Sequence, residues 1–189
     1  MTRIHRVPYS TNVERVALAA AHVGLAVEWV DHDPADRSAV RALSGQDLVP
    51  VAELDGGEVV VDSMAIVARL GAFAPDPVAH VFVEWFNRVW KVAPNAIEAG
   101  TGDAAAHGRE LAGSRGVFEA LLERRAFLLS DELGLADVCA FPFLKWAALS
   151  AAPADAPRFE HILVEHLALG DAFPRVRAWI ERMDALPRA

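Results

Sequence analysis

Residues 49–63 have the sequence VPVAELDGGEVVVDS, and this stretch contains the strongest fold signal in the chain. Two β-like runs, 49–54 and 58–61, flank the turn sequence Asp-Gly-Gly, which predicts a β-hairpin. Ser63 stands directly before the apolar positions of a predicted helix, Met64 to Leu70, and is expected to cap it. The stretch therefore predicts strand, strand and helix in that order.

The residues before the hairpin predict an alternation of strands and helices. Strands are expected over 4–7 and 27–30. Between them, apolar residues from Val13 onward follow the helical spacing i, i+3, i+4, i+7 and i+10, and Gly24 is expected to end that helix. A short second helix, 38–43, is expected behind a serine cap. The order predicted up to residue 70 is therefore β-α-β-α-β-β-α.

The chain changes character after residue 70. The segment 71–77 has two prolines in three residues and predicts a linker. Beyond it only helices are expected, over 78–92, 110–129, 135–149, 159–169 and 174–186. We therefore expect an α/β domain over residues 1–72 and an all-helical domain over residues 78–189.

Composition restricts the class of protein. The formal net charge is −8 and only two of the 189 residues are lysines, which argues against nucleic acid as a partner. No apolar run is long enough to span a membrane, and residues 1–6 contain no apolar part of a signal peptide, so we expect a cytoplasmic protein with no membrane partner. The single cysteine, Cys139, excludes an internal disulfide and is expected to be an inert buried thiol. The seven scattered histidines predict no metal site.

The turn before the first helix is a candidate binding feature. Tyr9, Ser10 and Thr11 place three hydroxyl groups where the free N–H groups of a helix start could hold an anion. The structural explanation is that Thr11 and Glu14 form a capping box and that Ser10 is only a turn residue.

Two further features also have a functional and a structural explanation. Pro50 could be a trans proline at a sheet edge, or a cis proline that turns the backbone of Val49 toward an extended ligand. Ser63 could be only an N-cap, or its hydroxyl and N–H could bind a carboxylate while Asp62 lies near an ammonium group.

Taken together, these features resemble the glutathione S-transferase family. The resemblance extends over nearly the whole chain, and its most specific parts are residues 10–16, 48–51, 62–63, 127–137 and 173–179. It implies a glutathione S-transferase-like fold: a thioredoxin-like N-terminal domain (βαβαββα) that binds a thiol, followed by an all-α C-terminal helical domain. It also implies transferase activity and a homodimer.

The resemblance implies roles for individual residues. Ser10 matches the serine of serine-type members that hydrogen-bonds the glutathione sulfur, with Tyr9 and Thr11 as alternative donors. Val49, before a presumed cis Pro50, would pair its backbone with the cysteinyl part of the tripeptide. The remaining contacts would be Asp62 and Ser63 to the γ-glutamyl end and Gln46 to the other end. Gly134 and Asp137 match a buried capping box, with glycine in place of the usual serine or threonine.

The expected reaction joins glutathione, as co-substrate, to a small apolar electrophile. Sixteen arginines against two lysines are typical of GC-rich genomes, and some bacteria of that kind use another low-molecular-weight thiol, which leaves the thiol open. Two alternatives also stay open: a non-catalytic binding or interaction module with this fold, and a thiol-dependent isomerase.

Overall fold

The computed structural model describes all residues from 1 to 189. Contacts divide the chain into two compact units. The first consists of Met1–Ala74 together with Leu186–Ala189, and the second is Pro75–Ala185.

The first unit contains four strands and three helices: β1 Arg3–Arg6, α1 Thr11–His22, β2 Glu28–Asp31, α2 Ser38–Ser44, β3 Val51–Glu53, β4 Val59–Val61 and α3 Ser63–Arg69. The strands form one sheet in the order β2-β1-β3-β4. Strand β1 runs parallel to β2 and antiparallel to β3, and β4 pairs antiparallel with β3 across the predicted hairpin. The thioredoxin-like element order βαβαββα is therefore confirmed.

The core of the first unit lies around the central strands β1 and β3. Ile4 and Ala52 are fully buried there, and α1 is buried on nearly every side because its middle is a run of small apolar residues. A separate apolar cluster joins Val7, Val13, Val40, Val49 and Val51. This cluster places the loop before β3 against the first turn of α1.

Helix α1 ends as predicted, whereas α2 begins differently. Gly24 has φ +65, and the N–H groups of Gly24 and Leu25 donate to the carbonyls of Ala21 and Ala20, which closes the helix in a Schellman arrangement. In α2, by contrast, Ser38 is the first helical residue and makes no cap, so the predicted serine cap is wrong.

The second unit is entirely helical, as predicted. It contains α4 Pro77–Trp85, a π-helical segment Phe86–Trp90, α5 Val92–Ala99, α6 Ala104–Leu121, α7 Leu135–Leu144, a 3-10 turn Lys145–Ala148, α8 Arg158–Leu167 and α9 Pro174–Asp184. Helix α5 was not expected from the sequence. It accommodates Pro94 because that residue lies in its first turn, where a missing N–H is tolerated. None of the helices combines the length and the hydropathy that crossing a bilayer requires.

Aromatic side chains fill the core of the second unit. The ring of Phe86 stacks on Trp90 at 4.4 Å and meets Phe118 and Phe143 edge to face at 6.4 and 5.4 Å. Helix α7 is the central helix of this unit, because every residue from Ala136 to Leu144 is buried. Cys139, within that run, is buried as predicted.

The predicted capping box at the start of α7 is confirmed. The N–H of Gly134 donates to Asp137 Oδ2 at 3.0 Å, while Oδ1 accepts from the N–H of Leu128 and from Trp179 Nε1, both at 2.8 Å. Burial raises the pKa of the Asp137 carboxyl to about 6, although these bonds oppose the rise. One buried carboxylate therefore joins the loop before α7 to α9.

Candidate functional site

The first candidate group is Ser10, at the N-terminus of α1. Its backbone is extended, and its Oγ accepts the N–H of Val13 at 3.4 Å, so Ser10 is the N-cap. The predicted capping box of Thr11 and Glu14 is therefore wrong, because Thr11 already has helical backbone and the cap lies one residue earlier. Since the oxygen of Ser10 accepts in its cap bond, its hydroxyl proton is left to donate, which is the polarity that a thiolate sulfur requires.

The neighbours of Ser10 differ in exposure. Tyr9 exposes 38% of its surface, whereas Thr11 exposes only 6%. Tyr9 also has φ +62, a backbone conformation that residues other than glycine rarely adopt and that stores about 1–3 kcal/mol of strain. Such strain is concentrated at functional sites in proteins, and it marks this turn as a candidate.

The second candidate group lies where β4 leads into α3. Asp62 is the N-cap of α3, since its Oδ1 accepts the N–H groups of Met64 and Ala65, both at 2.9 Å. The prediction that Ser63 caps this helix is therefore wrong, and Ser63 is instead its first, buried residue. Asp62 has φ +72 and, with Tyr9, is one of only two non-glycine residues in the chain with positive φ. Both strained residues precede a helix that carries candidate site residues.

A buried arginine connects the two helix starts. Arg15 is only 1% exposed, and its Nη1 lies 3.1 Å from Asn12 Oδ1 and 3.2 Å from Ser63 Oγ. It therefore holds the first turn of α1 against the first residue of α3. Arg15 was not predicted as a site residue, although the unbroken apolar run that follows it in α1 indicates that this arginine is buried.

The third candidate group is the backbone of Val49. The peptide bond between Val49 and Pro50 is cis, as the resemblance implied. Neither the N–H nor the C=O of Val49 makes a hydrogen bond within the chain. Its side chain belongs to the apolar cluster that includes Val13, so these unpaired groups lie near the first turn of α1.

Gln46 has a different environment from the one expected for a ligand contact. Its side-chain amide donates to the C=O of Leu48 at 2.9 Å and accepts the N–H of the same residue at 2.7 Å.

Next to Gln46 in sequence, Asp47 lines a polar pocket of about 330 Å³ together with Arg37 and Arg41. Arg37 donates to the C=O of Asp47 at 3.1 Å, and Arg41 forms an ion pair with its carboxylate. These two arginines were not predicted as site residues, because their contacts with Asp47 depend on the fold of the loop after α2.

No cluster of three or more His, Cys, Asp or Glu side chains suited to a metal ion occurs in the structure. Two of the histidines interact with each other instead. His5 Nδ1 lies 2.8 Å from His32 Nε2, and His5 Nε2 lies 2.9 Å from Glu53 Oε1. Burial and the neighbouring His5 lower the pKa of His32.

The sequence matches two family profiles that together include most of the chain. Residues 4–77 match the profile "Glutathione S-transferase, N-terminal domain", and residues 87–187 match "Glutathione S-transferase, C-terminal domain". The chain belongs to the glutathione S-transferase family. This family places it among the transferases, as the resemblance implied. No curated protein matches the chain.

Solved glutathione S-transferase structures share the fold. A Tau class enzyme from mango, Mangifera indica, is 17% identical with a TM-score of 0.76, and the match includes 97% of this chain and 88% of that one. A glutathione S-transferase from Xanthobacter autotrophicus Py2 is 22% identical with a TM-score of 0.71, over 100% of this chain and 95% of the other. A third, from Methylobacillus flagellatus KT with GSH bound, is 19% identical with a TM-score of 0.74, over 98% and 95% of the two chains. At these identities the likeness establishes the glutathione S-transferase-like fold.

Proposed function

We propose that this glutathione S-transferase family member adds a bound low-molecular-weight thiol, glutathione in the first instance, to a small apolar electrophile. The observation that carries the proposal is the unpaired backbone of Val49. Most backbone N–H and C=O groups in folded proteins are paired, so a residue with both groups unpaired can bind an extended peptide. An extended peptide that pairs with both groups, as the cysteinyl part of glutathione would, satisfies them.

The groups around Val49 fit the rest of the tripeptide. The N–H of Ser63 is at the first position of α3, where no helical carbonyl is available, and with the Ser63 hydroxyl it would bind the γ-glutamyl carboxylate. Asp62 uses only Oδ1 in its cap, so Oδ2 is left for the γ-glutamyl ammonium group. At the other end, Gln46 with Arg37 and Arg41 would lie near the glycyl carboxylate.

Ser10 is proposed to stabilise the thiolate. A free cysteinyl thiol has a pKa near 8.5, so only about 3% of it is ionised at pH 7. A hydrogen bond from the Ser10 hydroxyl to the ionised sulfur contributes about 1.5–3 kcal/mol, which lowers the thiol pKa by about one unit or more. The ionised fraction at pH 7 then rises to about a quarter, and no protein base is needed.

The first test is the pH profile of conjugation by the Ser10→Ala variant. Its rate at pH 7 should fall about eightfold or more, and the loss should shrink above pH 9, where the thiol ionises unaided. Calorimetric titration should show that the variant keeps most of its affinity for glutathione, since Val49 and Ser63 are unchanged. Thr11→Val is the matched control, because it removes a buried neighbouring hydroxyl and should leave the profile as it is.

Three results would change the proposal. An unaltered profile in Ser10→Ala would transfer the role to Tyr9 or Thr11, and the Thr11→Val profile would separate these two. No binding of glutathione by the wild-type protein would indicate another thiol or a non-catalytic module. Turnover without consumption of thiol would indicate an isomerase.

We also propose that the protein is a cytoplasmic homodimer. Four valines over residues 78–92 expose half or more of their surface: Val78, Val81, Val89 and Val92. Apolar side chains exposed in such a series are typical of a surface that another protein covers, and a second copy is the partner that the family implies. The cytoplasm is the compartment that keeps a thiol co-substrate reduced.

A further inference from the structure

Arg15 is a charged side chain in an apolar position. It is 1% exposed and is surrounded within α1 by buried residues, among them Val13 and Val16. Burying a guanidinium group is unfavourable unless its N–H groups find acceptors. Two of these acceptors are Asn12 Oδ1 at 3.1 Å and Ser63 Oγ at 3.2 Å. Both belong to residues at the start of a helix that carries candidate site residues.

The contact with Arg15 fixes the polarity of the Ser63 hydroxyl. A guanidinium group can only donate hydrogen bonds, so Ser63 Oγ must be the acceptor in this pair. The proton of the hydroxyl is not used in that bond, and the Ser63 side chain makes no other hydrogen bond in the chain. The hydroxyl is therefore left as a donor, and a cationic partner strengthens it in that role.

A hydrogen-bond donor at Ser63 favours a ligand group that accepts hydrogen bonds. A carboxylate has only acceptor atoms and can take the proton of the Ser63 hydroxyl, whereas an ammonium group has only donors and cannot use that proton. The positive charge of Arg15, held away from solvent, acts in the same direction, because charges interact more strongly in a low-dielectric interior.

We propose that Arg15 is a positioning residue that makes Ser63 a donor and so makes this end of the site selective for a carboxylate. The proposal rests on the function proposed above, in which Ser63 holds the γ-glutamyl carboxylate. Arg15 does not touch the thiol itself. It acts through Ser63, and through Asn12 it holds the first turn of α1 in the same arrangement.

The test compares two ligands that differ only in that carboxylate. Glutathione contains it, and γ-aminobutyryl-cysteinyl-glycine retains the ammonium group but lacks it. The wild-type protein should prefer glutathione by about tenfold or more in calorimetric titration, as expected for a hydrogen bond to a charged group. In Arg15→Gln and in Ser63→Ala this preference should fall to about twofold. The preference of the double variant should be no lower than that of either single variant.

Arg15→Lys is included because Arg15→Gln, with a buried charge removed, could fail to fold. Lysine keeps the charge and a donor but lacks the planar fork that reaches both acceptors, so its preference should lie between those of the wild type and Ser63→Ala. If the role of Arg15 is only structural, its variants should bind both ligands more weakly by the same factor and melt at a lower temperature. The ratio of the two affinities would then stay unchanged. That result would overturn the proposal.

The same titrations separate this inference from the proposed function. If the wild-type protein binds neither ligand, the proposed function fails and the role of Arg15 fails with it. If the wild type prefers glutathione and neither Arg15→Gln nor Arg15→Lys reduces that preference, only the role of Arg15 is overturned.

Discussion

Replacing Glu160 by glutamine should raise the melting temperature of this protein at pH 8 and change it much less at pH 5. Glu160 lies in the first turn of α8, is 4% exposed, and its Oε2 has no hydrogen-bond partner. Burial raises the pKa of its carboxyl group from 4.5 to about 7, and the carboxylate of Glu98 adds to the rise while Lys145 opposes it. The ionised form is therefore the one that destabilises the fold.

The size of the effect follows from the two pKa values. Below pH 4.5 the carboxyl group is protonated in both the folded and the unfolded protein, so it contributes no pH dependence. Between pH 4.5 and about 7 the unfolded chain releases its proton first, and the free energy of unfolding falls by about 3 kcal/mol at 1.36 kcal/mol per pH unit. Above pH 7 the loss is complete. Glutamine does not titrate, so the Glu160→Gln variant avoids it.

Thermal unfolding followed by circular dichroism measures this difference. For a chain of this length, about 3 kcal/mol corresponds to a rise of about 6–12 °C at pH 8, with less than about 1 kcal/mol remaining at pH 5. Glu165→Gln is the control, because its side chain is on the same helix but 74% exposed and should shift the transition little at either pH. Other titrating groups, such as Asp137, are common to all three proteins. An equal gain at both pH values, or the same gain in the control, would refute the reasoning.

Two further changes test the fold and the assembly. Asp137→Ala leaves three donors in the second unit without their acceptor, the N–H groups of Leu128 and Gly134 and the indole of Trp179, and should lower the urea-derived free energy of unfolding by about 3 kcal/mol. A loss below about 1 kcal/mol would contradict the role given to this carboxylate. Val81→Asp places a charge on a side chain that is 70% exposed in the single chain, and should convert a dimer into a monomer in sedimentation. A wild-type protein that already sediments as a monomer would contradict the proposed dimer.

The fold could be predicted wherever the signal is local. The Asp-Gly-Gly turn between two valine-rich runs determines the β3–β4 hairpin, and the spacing of apolar residues in α1 determines its buried faces. Helix α5 was missed because Pro94 is usually a sign that a helix has ended, although in the first turn it is compatible with one. The start of α6 was placed too late, because Gly108 weakens the helical pattern in its first turns, while its actual cap is Asp103.

The candidate site was predicted in its positions but not in its hydrogen bonds. Both helix caps lie one residue before the expected serine or threonine, because Ser10 and Asp62 have the non-helical backbone that a cap requires and Thr11 and Ser63 do not. The sequence shows which side chains have an oxygen that could cap a helix. The backbone angles that decide which of these oxygens reaches a free N–H of the first turn depend on packing. Arg15 was missed for a similar reason, since its partner Ser63 is 48 residues away in the sequence.

The residues of this site serve the fold and the proposed chemistry with different atoms. Ser10 caps α1 with a lone pair of its oxygen and leaves its proton, and Asp62 caps α3 with Oδ1 and leaves Oδ2. Ser63 accepts from Arg15 and leaves its own hydroxyl proton as a donor. Because the structural bond and the proposed ligand bond are separate, a variant can lose one and keep the other. Retention of the fold therefore does not by itself imply retention of the activity, and Ser10→Gly, which still allows a helix cap, should fold while losing the stabilised thiolate.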